Sequence, residues 1–143
     1  MLAQAVGASG HRSVPHTADL RIEAWSPTRN GCIREAVLGT VESFLDTSSA
    51  QPSHTVVRRL SADRDDDLLV AVLDEVIYLL ETAGEAPVDV EVAGADGQLK
   101  VSFAMADAGS LPQTGAVPKA VSLTEVRLAP EQSGWRCLVT LDV

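Results

Sequence analysis

Polar residues of the kinds that bind cations or move protons cluster in the stretch HTADLRIEAW, at residues 16–25. From residue 20 onward this stretch alternates apolar and polar side chains, which predicts a strand with one buried face. His16, Thr17 and Asp19 precede the alternation and are not needed for it. Because binding and catalytic residues concentrate where regular elements give way to loops, these three residues are the first functional candidates.

A second carboxylate, Asp142, lies in the terminal strand segment LVTLDV. The sequence ends one residue later, so the backbone carboxylate of Val143 would lie within reach of the same region. Carboxylate and backbone oxygens are the ligands that Ca²⁺, Mg²⁺ and Mn²⁺ prefer. If Asp19 and Asp142 are neighbours in the fold, they and Val143 would form an oxygen-only cation site. If they are not neighbours, they are two solvated charges at strand ends.

The charge of the chain argues against direct binding of nucleic acid. Eleven Lys and Arg residues against 20 Asp and Glu residues give a net charge of −9, which would repel a phosphate backbone. Two Trp, two Phe and one Tyr are too few for a platform that stacks single-stranded bases. The sequence has no glycine-rich phosphate loop, GxSxG elbow or HExxH motif, so the commonest motif-borne enzyme classes lack support.

Length and composition predict one domain, and the lack of a signal peptide or membrane span leads us to expect it in the cytoplasm. A chain of 143 residues with 45% hydrophobic residues can bury a substantial core, and we expect it over residues 14–143. Residues 1–13 lack the basic and apolar regions of a signal peptide and are expected to form a flexible tail. No segment is long and apolar enough to predict a membrane span. Cys32 and Cys137 are interpreted as reduced core thiols.

Periodicity predicts the elements that position the candidate residues. Thr28 is the expected N-cap of a helix over residues 29–46, and a short strand, HTVVRRL, follows. A second helix covers RDDDLLVAVLDEVIYLLET, where three aspartates suit the positive end of the helix dipole. Two hairpins complete the chain, with Lys119 beside the first strand of the second hairpin. We therefore predict an α+β fold in which two helices pack on one face of a mixed sheet, in the order strand, helix, strand, helix and four strands.

Four segments together resemble the archease family over nearly the whole chain from residue 14. These segments are HTADLRIEAW at 16–25, DLLVAVLDEVIYLLE at 67–81, VPKAVSL at 117–123 and LVTLDV at 138–143. The combination of an HTAD box with a terminal Asp followed by one aliphatic residue is fairly specific. Either feature alone would be weak.

The resemblance implies a non-catalytic protein that binds a divalent cation and activates RNA ligases of the RtcB type. These ligases join 3′-phosphate or 2′,3′-cyclic-phosphate ends to 5′-hydroxyl ends in tRNA splicing and RNA repair, and the helper promotes their guanylylation and multiple turnover. The RNA would be contacted only through the ligase.

The family's functional residues map onto candidates already named. Its cation site falls on Asp19 and Asp142, with Ca²⁺ expected before Mg²⁺ or Mn²⁺, and its KA-box lysine falls on Lys119. The resemblance further implies that His16 and Thr17 fix the loop presenting Asp19, and that Lys119 faces the partner.

One position departs from the family pattern. Many relatives carry His in a box KAxTxH where this chain has Thr124 in KAVSLT. Two other functions stay open. The first is a metal-dependent phosphoester hydrolase with Asp19 and Asp142 as ligands and His16 as general base. The second is a chaperone-like, protein-binding module that needs no metal.

Overall fold

A computed structural model describes residues 8–16 and 19–143 of the chain, which form seven strands and two helices in this part. The elements follow the order β1 (Gly10–His16), β2 (Asp19–Ser26), α1 (Arg29–Glu42), β3 (His54–Ser61), α2 (Asp65–Ala83), β4 (Glu85–Ala93), β5 (Gln98–Asp107), β6 (Ala120–Glu131) and β7 (Gly134–Asp142). A short 3₁₀ turn, Ala108–Ser110, follows β5. Neither helix is long and apolar enough to cross a membrane.

The strands form two antiparallel sheets. One has the order β1-β2-β7-β6 and the other the order β3-β5-β4. Each helix contacts strands of both sheets. The predicted α+β class with two helices is confirmed, whereas the prediction of one mixed sheet is wrong. Alternation along a strand identifies its buried face, but it does not identify the strand's partner or direction.

The first strand lies partly in the segment predicted to be a flexible tail. Residues 10–13 belong to β1, which pairs with β2 from Gly10 opposite Trp25 to His16 opposite Asp19. The tail prediction is therefore wrong for these residues. The segment GHRSVPH has no clear alternation and contains a proline, which an edge strand tolerates because one side of its backbone makes no ladder bonds.

A histidine attaches β1 to α1. His11 Nδ1 lies 2.9 Å from Glu35 Oε1, and His11 Nε2 lies 3.0 Å from Glu42 Oε1. Burial lowers the pKa of His11, but the hydrogen bonds to the two glutamates outweigh it and hold that pKa above its ordinary value. The edge strand is thus fixed to the helix by an ion pair that depends on pH.

Helix α1 begins as predicted and ends earlier. The Thr28 hydroxyl accepts a hydrogen bond from the Gly31 N–H at 3.0 Å, which confirms it as the N-cap. The helix stops at Glu42 rather than at residue 46, because the last turn tightens: the Phe44 N–H bonds to the Val41 carbonyl at 3.2 Å. Phe44 remains buried after the helix has ended.

Helix α2 has the predicted extent and a buried apolar face. The face consists of Leu68, Leu69, Val72, Leu73, Val76, Ile77 and Leu79. Gly84 ends the helix in the left-handed conformation, at φ 66°, which glycine adopts without steric cost. Two of the three leading aspartates also bind distant groups: Asp65 accepts from Arg29 at 2.9 Å, and Asp66 accepts from the Leu128 N–H at 2.7 Å.

The two cysteines are free and buried in the core, as predicted. The Cys32 thiol lies 3.5 Å from the Ala24 carbonyl oxygen. A hydrogen bond with Cys32, and then burial, raise the pKa of the Cys137 thiol. The Cys137 thiol therefore stays protonated and unreactive at neutral pH.

Candidate cation site on the four-stranded sheet

The two candidate carboxylates lie directly opposite each other on neighbouring strands. Asp19, the first residue of β2, pairs with Asp142, the last residue of β7. The Cα atoms of such opposed residues are about 4.5–5.5 Å apart in antiparallel sheets. The condition on which the cation hypothesis depended, that these two residues be neighbours, is therefore met.

Strand alternation places both carboxylates on the side of the sheet away from the core. The adjacent pair, Leu20 opposite Leu141, points inward, and Leu141 is fully buried. Asp142 is exposed and Asp19 is partly exposed. We call the solvent side of this sheet the outer face. A cation held there would be accessible to water and to a partner.

Strand β6 brings the candidate lysine to the same end of the sheet. The Lys119 N–H donates a hydrogen bond to the Asp142 carbonyl oxygen at 2.8 Å, and Ala120 lies opposite Asp142. The Lys119 side chain is exposed. The backbone of Lys119, the residue just before β6, thus lies beside Asp142, which itself lies opposite Asp19.

The remaining candidates lie at this end or outside the described residues. His16 ends β1 opposite Asp19, so its backbone is next to the carboxylate pair. Val143 follows β7 directly and is partly exposed. Thr17 lies outside the residues that the structure describes. No finding tests the roles assigned to these residues, which therefore remain predictions.

The donor chemistry fits a hard divalent cation. Like charges directly opposite each other on neighbouring strands repel, so a positive charge between the two carboxylates would lower the free energy of the fold. Their four oxygens are the donor type that such cations prefer. Among the side chains that the structure describes, at residues 8–14 and 19–143, no group of three or more His, Cys, Asp or Glu residues is arranged to hold a metal ion. The two carboxylates alone would fill only part of the coordination shell of such a cation.

Ion pairs cross the outer face next to the carboxylates. Arg21 Nη2 donates to Glu125 Oε2 at 3.1 Å, and Arg12 Nη2 donates to Glu23 Oε1 at 2.9 Å. The Arg21–Glu125 contact joins β2 to β6 across β7. Arg21 is a polar residue of the alternating stretch 16–25, but no sequence signal identifies Glu125 as its partner, because the two residues are brought together only by the sheet order.

Comparison with known proteins identifies similar sequences over most of the chain. Residues 11–143 match the family model described as "Archease protein family (MTH1598/TM1083)". The Mycobacterium tuberculosis H37Rv protein named "Probable protein archease" is 70% identical over 135 residues, which cover 94% of this chain and 75% of that protein. "Protein archease" of Archaeoglobus fulgidus is 27% identical over 135 residues, which cover 93% of this chain and 98% of that protein.

Two solved structures share the fold. The solution structure of Methanobacterium thermoautotrophicum protein 1598 superposes with a TM-score of 0.73 at 20% identity, covering 94% of this chain and 99% of that one. The crystal structure of a Thermotoga maritima archease, described as a "possible chaperone", gives a TM-score of 0.65 at 16% identity, covering 91% and 94%. At these identities the similarity shows the fold alone.

Proposed function

Because this chain belongs to the archease family, we propose that it is a non-catalytic, divalent-cation-binding activator of an RtcB-type 3′-phosphate RNA ligase. In this function it promotes guanylylation and multiple turnover of the ligase during tRNA splicing or RNA repair. The observation that carries the proposal is the direct pairing of Asp19 with Asp142 at an exposed end of the sheet, next to Lys119.

Asp19 and Asp142 would hold the cation, with a backbone oxygen of Val143 as a further ligand. Ca²⁺ is the first candidate because it accepts irregular oxygen shells, and Mg²⁺ and Mn²⁺ are the alternatives. When bound, the cation supplies positive charge and open coordination positions that a partner's carboxylates or nucleotide phosphates can occupy. Two carboxylates on an open sheet face leave those positions accessible.

The remaining residues of the site orient the carboxylates and contact the partner. The Lys119 N–H fixes the backbone of Asp142 through its hydrogen bond to the carbonyl oxygen. The exposed Lys119 ammonium is free to contact an acidic group of the ligase. His16 and Thr17 would fix the chain that leads into Asp19, since His16 pairs with Asp19 at the end of β1.

The charge balance supports contact with the ligase rather than with its RNA. A net charge of −9 repels phosphates and complements the basic surface that an RNA-binding enzyme needs. The acidic protein can therefore dock on the ligase without competing for the RNA.

The shape of the surface supports a helper rather than an enzyme. Small-molecule and catalytic sites are usually concave, whereas Asp19 and Asp142 lie on a sheet face. A groove of about 860 Å³ is lined by residues 63–66, residues 125–129 and Leu138, and its lining includes neither Asp19 nor Asp142. The proposed cation site is thus not enclosed as a substrate pocket would be.

The test measures guanylylation of a cognate RtcB-type ligase with a stoichiometric amount of this protein. The wild type should accelerate guanylylation, and Asp19→Ala and Asp142→Ala should abolish the acceleration. The matched control is Glu91→Ala, which removes an exposed strand carboxylate on the other sheet and should behave as the wild type.

The other outcomes separate the alternatives. Acceleration that survives both aspartate substitutions and chelation would favour a metal-independent, chaperone-like module. Phosphoester turnover by the isolated protein, lost in the same variants, would favour a hydrolase.

A further inference from the structure

Strand β6 contains a large bulge close to the proposed cation site. Ser122 pairs with Thr140, but the next paired residue, Arg127, lies opposite Leu138. Residues 123–126 therefore stand opposite the single residue Val139. Bulges of this kind redirect side chains and are frequent next to functional sites.

The bulge has a strained backbone that is fixed in place. Glu125 has φ 65°, in the left-handed region that non-glycine residues rarely adopt. Two contacts hold the conformation: the Arg21 guanidinium bonds to the Glu125 carboxylate at 3.1 Å, and the Thr124 N–H donates to the Ser122 hydroxyl at 3.3 Å. Backbone strain maintained by specific contacts is characteristic of functional segments.

The bulge presents an apolar side chain to solvent. Leu123 is 76% exposed, more than any other large hydrophobic residue in the described ranges, and Tyr78 follows at 55%. Leu123 is three residues beyond Ala120, the partner of Asp142, which corresponds to about 10 Å along a strand. Val117, also exposed, lies on the other side of Lys119. Exposed apolar side chains therefore lie on both sides of Lys119 along the chain.

We propose that this bulge is the docking element for the ligase and that Leu123 inserts into an apolar pocket of that enzyme; this inference rests on the function proposed above. A buried aliphatic or aromatic anchor surrounded by polar contacts is the usual centre of a protein–protein interface. Here the polar neighbours along β6 are Thr124 and Glu125, whose carboxylate pairs with Arg21, and the aspartate pair lies about 10 Å along the strand.

The chemistry of the bulge favours a protein over RNA as the occupant. Leucine offers no aromatic ring on which a base could stack, and the net charge of −9 repels the backbone phosphates. A second copy of the chain is disfavoured because both copies would carry this charge.

The backbone of the β6 edge strand favours docking through a side chain over pairing with a strand of the partner. The bulge interrupts the row of backbone groups that an added strand would need. Beyond it, the Leu128 N–H is already bonded to the Asp66 carboxylate at 2.7 Å. The edge is therefore closed to strand addition, and the side chain of Leu123 is the group available for contact.

The experiment measures the dissociation constant between this protein and the purified RtcB-type ligase by titration calorimetry. Leu123→Ala should weaken binding tenfold or more, and Leu123→Asp should weaken it further. Tyr78→Ala, the matched control, removes an exposed apolar side chain on α2 and should leave the constant unchanged. Binding of Ca²⁺ to the isolated Leu123→Ala variant should equal that of the wild type.

Each contrary result has a distinct meaning. If the wild type binds and activates the ligase and Leu123→Ala does so equally well, the docking inference is wrong and the proposed function stands. If the wild type does not bind the ligase, both are wrong. If the wild type sediments as a dimer, Leu123→Ala sediments as a monomer and both bind the ligase equally, Leu123 contacts a second copy of the chain and the inference is overturned.

Discussion

The Asp142→Asn variant should be more stable than the wild type without a divalent cation and less stable than the wild type when the cation is bound. In the absence of the cation, Asp19 and Asp142 are like charges directly opposite each other on neighbouring strands. Asp142→Asn keeps the size of the side chain and removes one charge, so the repulsion disappears. In the presence of the cation, the same substitution removes a ligand.

The expected magnitudes follow from the geometry. Cross-strand charge pairs contribute roughly 0.2–1 kcal/mol, and Asp142 is exposed, so the variant should be more stable without cation by about 0.5 kcal/mol. A cation present at 100 times its dissociation constant stabilises the wild type by about 2.7 kcal/mol. For a domain near this size, that corresponds to a rise of roughly 5–11 °C in the melting temperature.

The assay is thermal unfolding followed by circular dichroism, first with a chelator and then with saturating Ca²⁺, Mg²⁺ or Mn²⁺. The wild type should melt below Asp142→Asn with chelator and well above it with the bound cation. Glu91→Gln, the control, should respond to the cation as the wild type does. An equal cation-dependent rise in the wild type and in Asp142→Asn would refute the assignment of Asp142 as a ligand.

Three further predictions concern stability. The pKa of His11 is raised, so the free energy that this residue adds to folding is complete below its ordinary pKa of 6.5 and is lost as pH rises through the raised value. Urea unfolding at a series of pH values should show this loss of stability in the wild type and not in His11→Gln. Glu125→Gly should be about 1 kcal/mol more stable than Glu125→Ala, since both lose the contact with Arg21 and only glycine relieves the positive φ; equal unfolding free energies would show that the backbone there is unstrained. Asp66→Ala should cost about 1 kcal/mol, because the Leu128 N–H loses its acceptor, whereas Asp67→Ala in the same helical turn should cost less in the same urea titration.

The parts of the fold that depend on local sequence could be predicted from it. The apolar period of α2 gave its extent, and the threonine before α1 identified the N-cap. Each of these features involves residues within a few positions of one another. Helix α1 was predicted too long because Phe44 and Leu45 continue the apolar pattern and are buried in irregular chain.

The features that depend on strand pairing could not be predicted from local pattern. The division into two sheets follows from contacts between distant segments. Strand β1 pairs with the next strand along the chain, but its residues show no clear alternation that would predict it. The cation site requires Asp19 and Asp142 to be neighbours, which the sequence alone does not establish. The register of β2 with β7 makes them neighbours. The β6 bulge gave no signal, because Glu125 is not a residue type that indicates a positive φ.

The most direct test of the proposed function is the number of RNA molecules joined per ligase molecule when this protein is present. With wild type, and with RNA in excess over ligase, we expect many turnovers; with Asp142→Ala we expect the single turnover of the unassisted enzyme, and with Glu91→Ala the wild-type number. Equal turnover numbers with wild type and Asp142→Ala, both above that of the ligase alone, would contradict a cation-linked activator. A wild type that leaves the turnover number unchanged would contradict activation altogether.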